Sequence, residues 1–529
     1  MLKWLRRVPP AAQGDAEGFV MSEVTQRPAD ASLPQEETTP NGRQQHDEEA
    51  APQTRTSHED GRHASPDASR QVLAALTSAF VHLGIGSVLG FSGVTLPELT
   101  DPVSPDLVLN TSQAALFSSV INLGAAVGST AAGAPQVWLG QRVMLLLTLP
   151  VSLAAWLLMA AAPKAWMVIA ARALQGLTMG FLAGSSNNYV VELAHTKFRG
   201  LLMAMLDVSR QLGYLLVYAT GSTSLNWRQV ARVCGVVTHL LPLLGLLCLP
   251  NSPRWLAAQG RLGEARVALM FFRGRGYNCD QEMADIAQTR EEGRCSPRSQ
   301  MQEMKNPETL GRIVLLAFLL FISNFTGNFV VSAYVVPIFE AAEVVASPYA
   351  AAIIVGCVRV IGTLFYLSVV DRANRKFLLV SSTLVCAASM ALLGSFFYDH
   401  ENSDDVSHQR WLPLASVAAF TLAASTAFPV LSLFRSEILP TSVRATAVAF
   451  LYSVFFIGAF SASQSYPGAT LVLGHHGTFW TYSAFALLVA VVGGLALPET
   501  RGQSLEQISG FVNQRMRTQA NGGASSGNH

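Results

Sequence analysis

Stretches of about 20 apolar residues, separated by short polar runs, recur along most of this chain. They fall at about 71–95, 113–134, 142–162, 166–190, 201–221 and 231–249, and again at 311–338, 347–370, 377–397, 411–434, 445–466 and 474–496. A helix rises ~1.5 Å per residue and the hydrocarbon core of a bilayer is ~30 Å thick, so each stretch predicts one spanning helix. The pattern therefore predicts an all-α membrane protein with twelve transmembrane helices in two six-helix bundles, 71–249 and 311–496. Residues 1–70 are polar and predict a disordered tail. The charged stretch 250–310 predicts a linker of short amphipathic helices at the membrane surface, and 497–529 a second polar tail. Lys3, Arg6 and Arg7 are followed by no apolar core, so the N-terminus does not read as a cleaved signal peptide.

Composition sharpens this reading. Of the 529 residues, 50% are hydrophobic and only 13% charged, which excludes a pair of soluble domains. The 41 glycines suit close helix packing. A net charge of +1 says little, because the placement of charge carries the information. Lys197, Arg199, the arginines of 250–310, Arg372, Arg375, Lys376, Arg444 and Arg501 fall on one side of the spans. Glu98, Asp101, Asp106 and the acidic loop 399–410 fall on the other. The positive-inside rule then places both termini and the linker in the cytosol, and the expectation is a multi-pass protein of the plasma membrane. The sequon Asn110-Thr111-Ser112 lies on the outward side as a glycosylation candidate, whereas Asn324-Phe325-Thr326 falls within a span and should be silent.

Six scattered cysteines show no metal or disulfide spacing, no basic stripe indicates nucleic acid, and no enzyme signature stands out. The expected partners are a small-molecule substrate and the lipid bilayer, with no cofactor and no obligate protein partner. The two halves also repeat. Glu192 to Arg199 and Glu437 to Arg444 share one spacing, and 437 minus 192 and 444 minus 199 both equal 245. Both intervals separate the fourth and fifth spans of a half, and parallel halves of this kind place a substrate site near the midplane, between them.

Six motifs carry a resemblance: "RALQGLTMG" (172–180), "VVELAHTKFRG" (190–200), "LPNSPRWLAAQGRLGEA" (249–265), "DRANRK" (371–376), "SEILPTSVRATA" (436–447) and "LPETRGQSLEQI" (497–508). In order and spacing, over about 71–510, the chain resembles the major facilitator superfamily, and within it the sugar porters, which include glucose and arthropod trehalose transporters. The resemblance implies facilitated transport of a hexose or disaccharide by alternating access. It also implies a cytosolic gating network at the inner helix ends, formed by Glu192, Arg199, Arg254, Asp371, Arg372, Arg375, Glu437, Arg444, Glu499 and Arg501, whose opposite charges can pair across the halves when the cytosolic gate is shut. The chain departs from the family pattern in "GAPQVWLGQR" (133–142), where Val137 and Trp138 replace an acid–base pair and Gln141 an arginine. Asn251 replaces a glutamate and Asn374 a glycine.

By the same resemblance, the substrate positions fall on Asp207, Arg210, Gln211, Asn324, Asn328, Tyr334, Arg359 and Ser432. Several differ from the sugar-porter pattern. Asp207 stands for a glutamine, Ser432 for a tryptophan, and Phe455 and Phe456 for an asparagine and a tryptophan. Arg359 lies inside the apolar run 353–370. An arginine at the bilayer centre costs at least ~2.5–3.5 kcal/mol, so it should face a cavity or a partner. Two readings stay open: an internal pair with Asp207, or Arg210 and Arg359 together making the cavity net positive and suited to an organic anion. The first span, 71–95, holds no acid to carry a proton, which favours facilitated diffusion. A sugar carrier, an organic-anion carrier and a non-transporting receptor or sensor remain as functional expectations.

Overall fold

The computed structural model describes residues 68–104, 106–274, 277–292, 302–402, 409–440 and 443–501. Most of both expected polar tails lies outside the described residues. Among the described residues the chain is helical and contains no strand. The first set comprises α1 (Ser69–Thr100), α2 (Thr111–Ala131) with the short α3 (Gly133–Leu139), α4 (Gln141–Ala161), α5 (Ala165–Leu193), α6 (Arg199–Gly221) and α7 (Trp227–Cys248). Three short helices follow, α8 (Pro253–Ala258), α9 (Leu262–Arg273) and α10 (Asp280–Glu292). The second set comprises α11 (Pro307–Ser323), α12 (Asn328–Ala333), α13 (Val335–Ala341), α14 (Pro348–Val369), α15 (Arg375–Asn402), α16 (Leu412–Glu437) and α17 (Arg444–Ala496).

Two of these depart from the expected pattern of one helix per apolar run. The seventh span, 311–338 in the sequence reading, is broken into α11, a turn of 3-10 helix at Asn324–Thr326, α12 and α13. Gly327 takes φ +103°, a left-handed conformation that glycine adopts without steric cost, and Tyr334 leaves the helical region at φ −127°, ψ 26°. Conversely, α17 runs for 53 residues as a single helix by hydrogen bonding. It holds two spans, because Gly474 at φ 70°, ψ 174° breaks it. Among the described residues, eleven helices are thus long and apolar enough to cross a membrane, and one of them is long enough to cross twice. The result is a multi-pass membrane protein of twelve spans in two six-helix bundles.

Helix starts follow local chemistry. Asn110 and Asn226 cap α2 and α7 and form reciprocal boxes with Gln113 and Gln229, satisfying main-chain N–H groups that a helix leaves free. Ser347 caps α14 in the same way, with a proline at the next position.

Packing then depends on small residues. Lipid tails are as apolar as leucine, so helices in a bilayer associate through close van der Waals contact rather than through the hydrophobic effect. Gly124 and Gly128 of α2 face Gly176 and Gly180 of α5 so closely that a methyl on Gly176 would overlap the Ile121 carbonyl, and one on Gly128 the Leu177 carbonyl. Gly86 of α1 and Gly213 of α6 repeat the arrangement, meeting the carbonyls of Arg210 and Leu83. The short helices dock on the first set: Arg70 and Gln71 donate to the carbonyls of Phe271 and Phe272, and Arg273 to that of Leu193 at 2.8 Å. At the opposite end, Arg228 holds both oxygens of Asp106 at 2.7 Å and donates to the carbonyls of Ala160 and Ala162.

Two outcomes follow from this packing. Gly176→Val should abolish recovery of folded protein, whereas Gly200→Ala, which meets nothing within 4 Å, should leave it intact; size-exclusion profiles after detergent extraction would show the contrast. The hydrogen bonds from Arg228 hold the Asp106 carboxyl below its ordinary value of 3.8. Its contribution to stability is therefore complete above that value and is lost as pH falls through the lowered one. The melting-temperature difference between wild type and Asp106→Asn should shrink over that acid window.

Candidate functional site

The two sets meet along α1, α2 and α6 on one side and α12, α13, α14 and α17 on the other. At the end distant from α8–α10, the Tyr218 hydroxyl donates to the Ser332 carbonyl at 3.2 Å, and Gly93 packs on the same carbonyl and on Val335. Gly356 of α14 rests against Leu215 and Tyr218 of α6. Ser119 donates to Gln464 at 2.6 Å, joining α2 to α17.

Arg359 lies just below this seam and is 6% exposed. Its Nη2 donates to Ser332 Oγ at 2.7 Å, and its guanidinium carbon lies 4.4 Å from the centroid of the Tyr214 ring. Tyr214 belongs to the first set and Arg359 to the second, so the cation–π contact bridges them. Asp207 pairs with Arg210 at 2.8 Å, three residues on along α6. The pairing of Asp207 with Arg359 weighed from the sequence is therefore replaced: a neighbour on the same helix face satisfies the carboxylate without any reach across the interface. Asp207 and Arg210 remain about a third exposed, facing α14, where Asp207 lies within electrostatic range of Tyr366.

The other expected substrate positions are less uniform. Gln211 is buried, and its Oε1 has no hydrogen-bond donor among the described residues. Asn324 is fully buried; its Nδ2 donates to the carbonyls of Leu320 at 2.7 Å and Phe455 at 3.1 Å, while its Oδ1 is unpaired. This burial fits the expectation that its sequon is silent. Tyr334 is buried with its ring 4.7 Å from that of Tyr466. Asn328 and Ser432 are half-buried. Phe455 meets Phe329 at 5.6 Å and Phe456 at 5.5 Å, both edge to face, so an aromatic wall stands where the sugar-porter pattern has an amide and an indole.

The gating residues pair within their own sets. Gln141 donates to Glu192 at 2.7 Å, doing the work of the missing arginine. Arg375 pairs with Glu437, and Glu499 accepts the main-chain N–H groups of Arg375 and Lys376 at 3.0 and 3.1 Å, capping α15. Arg444 donates to the Leu439 carbonyl at 3.1 Å. Arg254, Asp371, Arg372 and Arg501 are exposed, and these four and Arg199 make no ion pair among the described residues. No ion pair between described residues crosses from one set to the other; the expected cross-half pairing belongs to a shut cytosolic gate.

The family described as Sugar (and other) transporter matches residues 42–510, nearly the whole chain. This protein belongs to that family. Among curated relatives, the facilitated trehalose transporter Tret1-2 homolog of Drosophila simulans is 29% identical over 440 residues, 83% of this chain and 90% of the relative. Tret1 of Anopheles gambiae is 29% identical over 449 residues, 84% of this chain, which spans only 56% of that relative. The partially occluded, inward-open xylose transporter XylE of E. coli superposes with a TM-score of 0.69 at 22% identity, covering 82% of this chain and all of that one. XylE bound to 6-bromo-6-deoxy-D-glucose gives a TM-score of 0.68, over 84% and 99%. These likenesses establish the fold.

Two interior arginines of this transporter-family chain escaped the sequence reading. Arg172, fully buried in α5, donates to the carbonyls of Val88 at 2.9 Å and Phe117 at 3.3 Å, to Gln175 and to Ser92, and so ties α1, α2 and α5 together. Arg435 lies 3.6 Å from the centroid of the Tyr452 ring. The interrupted hydropathy that exposes Arg359 was present at both, but each lies in or beside a motif that already had an explanation.

A double-mutant cycle tests the bridge. A desolvated cation–π pair is worth roughly 0.5–2 kcal/mol, so Arg359→Met and Tyr214→Leu should couple by about that much in thermal stability. Asp207→Asn and Arg359→Gln should instead combine additively.

Proposed function

We propose that this protein is a facilitative carrier of a neutral sugar, a hexose or a disaccharide such as trehalose, that moves its substrate by alternating access between the two six-helix sets. The family match across residues 42–510 carries this reading, together with two expected site residues, Gln211 and Asn324, that retain buried unpaired oxygens suited to sugar hydroxyls. Trehalose is the substrate in the names of the Drosophila and Anopheles relatives. The contacts among Tyr218, Ser332, Gly93 and Gly356 close the end distant from α8–α10, and among the described residues the ion pairs at the other end stay within their sets. That combination supports an inward-facing arrangement with α8–α10 in the cytosol of a plasma-membrane protein. It also argues against the organic-anion reading. Arg210 is paired with Asp207, and Arg359 is held by Ser332 through Nη2 and by the Tyr214 ring, so both cations are already engaged by protein groups, although Arg359 Nε keeps no partner.

Proteoliposomes carrying the purified chain should take up labelled trehalose or glucose saturably, with a rate indifferent to an imposed proton gradient. Failure across a broad sugar panel would overturn the carrier reading, and stabilisation by a sugar without any flux would make the protein a receptor. Orientation has its own readout. Asn110→Gln should increase gel mobility in secretory-pathway membranes to the extent that glycosidase treatment does.

A further inference from the structure

Beyond the transport path, a cavity of about 580 Å³ lies where the α5–α6 connection meets α8 and α10. Arg199 and Arg254 line it together with Tyr277, Asn278, Gln281 and Asp285. The two guanidinium groups repel each other, and neither forms an ion pair among the described residues. Arg199 Nε is buried without a hydrogen-bond partner. Glu282, also in the lining, attracts Arg199 but has both of its oxygens occupied by Arg273 at 2.6 and 3.0 Å, and Glu192 attracts Arg254 without forming an ion pair with it. Arg199 also opens α6, a 23-residue helix with no side-chain cap, whose positive end adds to the same field.

Two unpaired arginine forks beside an uncapped helix start are complementary to a phosphate, which accepts bidentate hydrogen bonds and carries the charge that relieves their repulsion. The amides of Asn278 and Gln281 match hydroxyl groups instead. We propose that this cavity binds a phosphorylated polyol, with its phosphate on Arg199 and Arg254 and its hydroxyls toward Asn278 and Gln281. A soluble sugar phosphate and a phosphoinositide headgroup share this chemistry. Either one would bridge the start of α6 to α8 and α10, joining the short helices to the transport bundle through a ligand.

The test uses the full chain, purified in detergent, and follows thermal stability against glucose 6-phosphate, with glucose and inorganic phosphate at matched ionic strength as comparisons. The expected result is a saturable shift with glucose 6-phosphate that exceeds both comparisons. Because an arginine–phosphate fork is one of the stronger charge-assisted contacts, Arg254→Gln should weaken binding by about tenfold or more. Gln281→Glu, which adds a negative charge to the lining, should weaken it as well and serves where an arginine variant folds poorly. A shift in nanodiscs containing phosphatidylinositol 4-phosphate, without one from glucose 6-phosphate, would assign the lipid headgroup. No shift from either probe, an equal shift in both variants, or an equal shift from inorganic phosphate alone would overturn the proposal.

Discussion

The absence of water from the bilayer core governs this structure. A charge or main-chain group buried there has no solvent to fall back on and must find its partner within the protein. Three interior arginines show how the chain meets that demand. Arg172 spends its donors on carbonyls and short polar side chains, Arg359 on a hydroxyl and an aromatic face, and Arg435 lies over a tyrosine. None of the three makes an ion pair with a carboxylate among the described residues. Such partners let a cation be buried without removing a second ion from water, which is the costly part of an internal ion pair.

The same constraint explains why so much of the fold was legible. Bilayer thickness fixes the length of a span, so hydropathy alone placed most helices within a few residues of their observed ends. It failed where a backbone event has no hydropathy signature. Gly327 and Gly474 sit in runs whose other glycines are ordinary helix residues, and nothing in composition distinguishes the two that take positive φ. The site was legible to a smaller degree. Sequence showed that Arg359 needed a partner but not which one, because Asp207 had a nearer neighbour in Arg210, and side-chain reach across a helix interface is settled only by packing.

Charge pairing divides the protein in a further way. At the end bearing α8–α10, Glu192 is held by Gln141 and Glu437 by Arg375, each within one set, while the opposite end is closed by main-chain carbonyls, glycines and ring faces that cross between sets. Exposed ion pairs are individually worth only ~0–1 kcal/mol, so pairs confined to a set stiffen that set without opposing its rotation against the other.

The interrupted seventh span gives this arrangement a moving part. Because the chain turns left-handed at Gly327 and leaves helical geometry again at Tyr334, α12 is a rod of six residues with a joint at each end. It can tilt without bending a full-length helix. Ser332, held by Arg359, sits near the far end of that rod. One side-chain hydrogen bond therefore acts on a short segment rather than on an entire bundle.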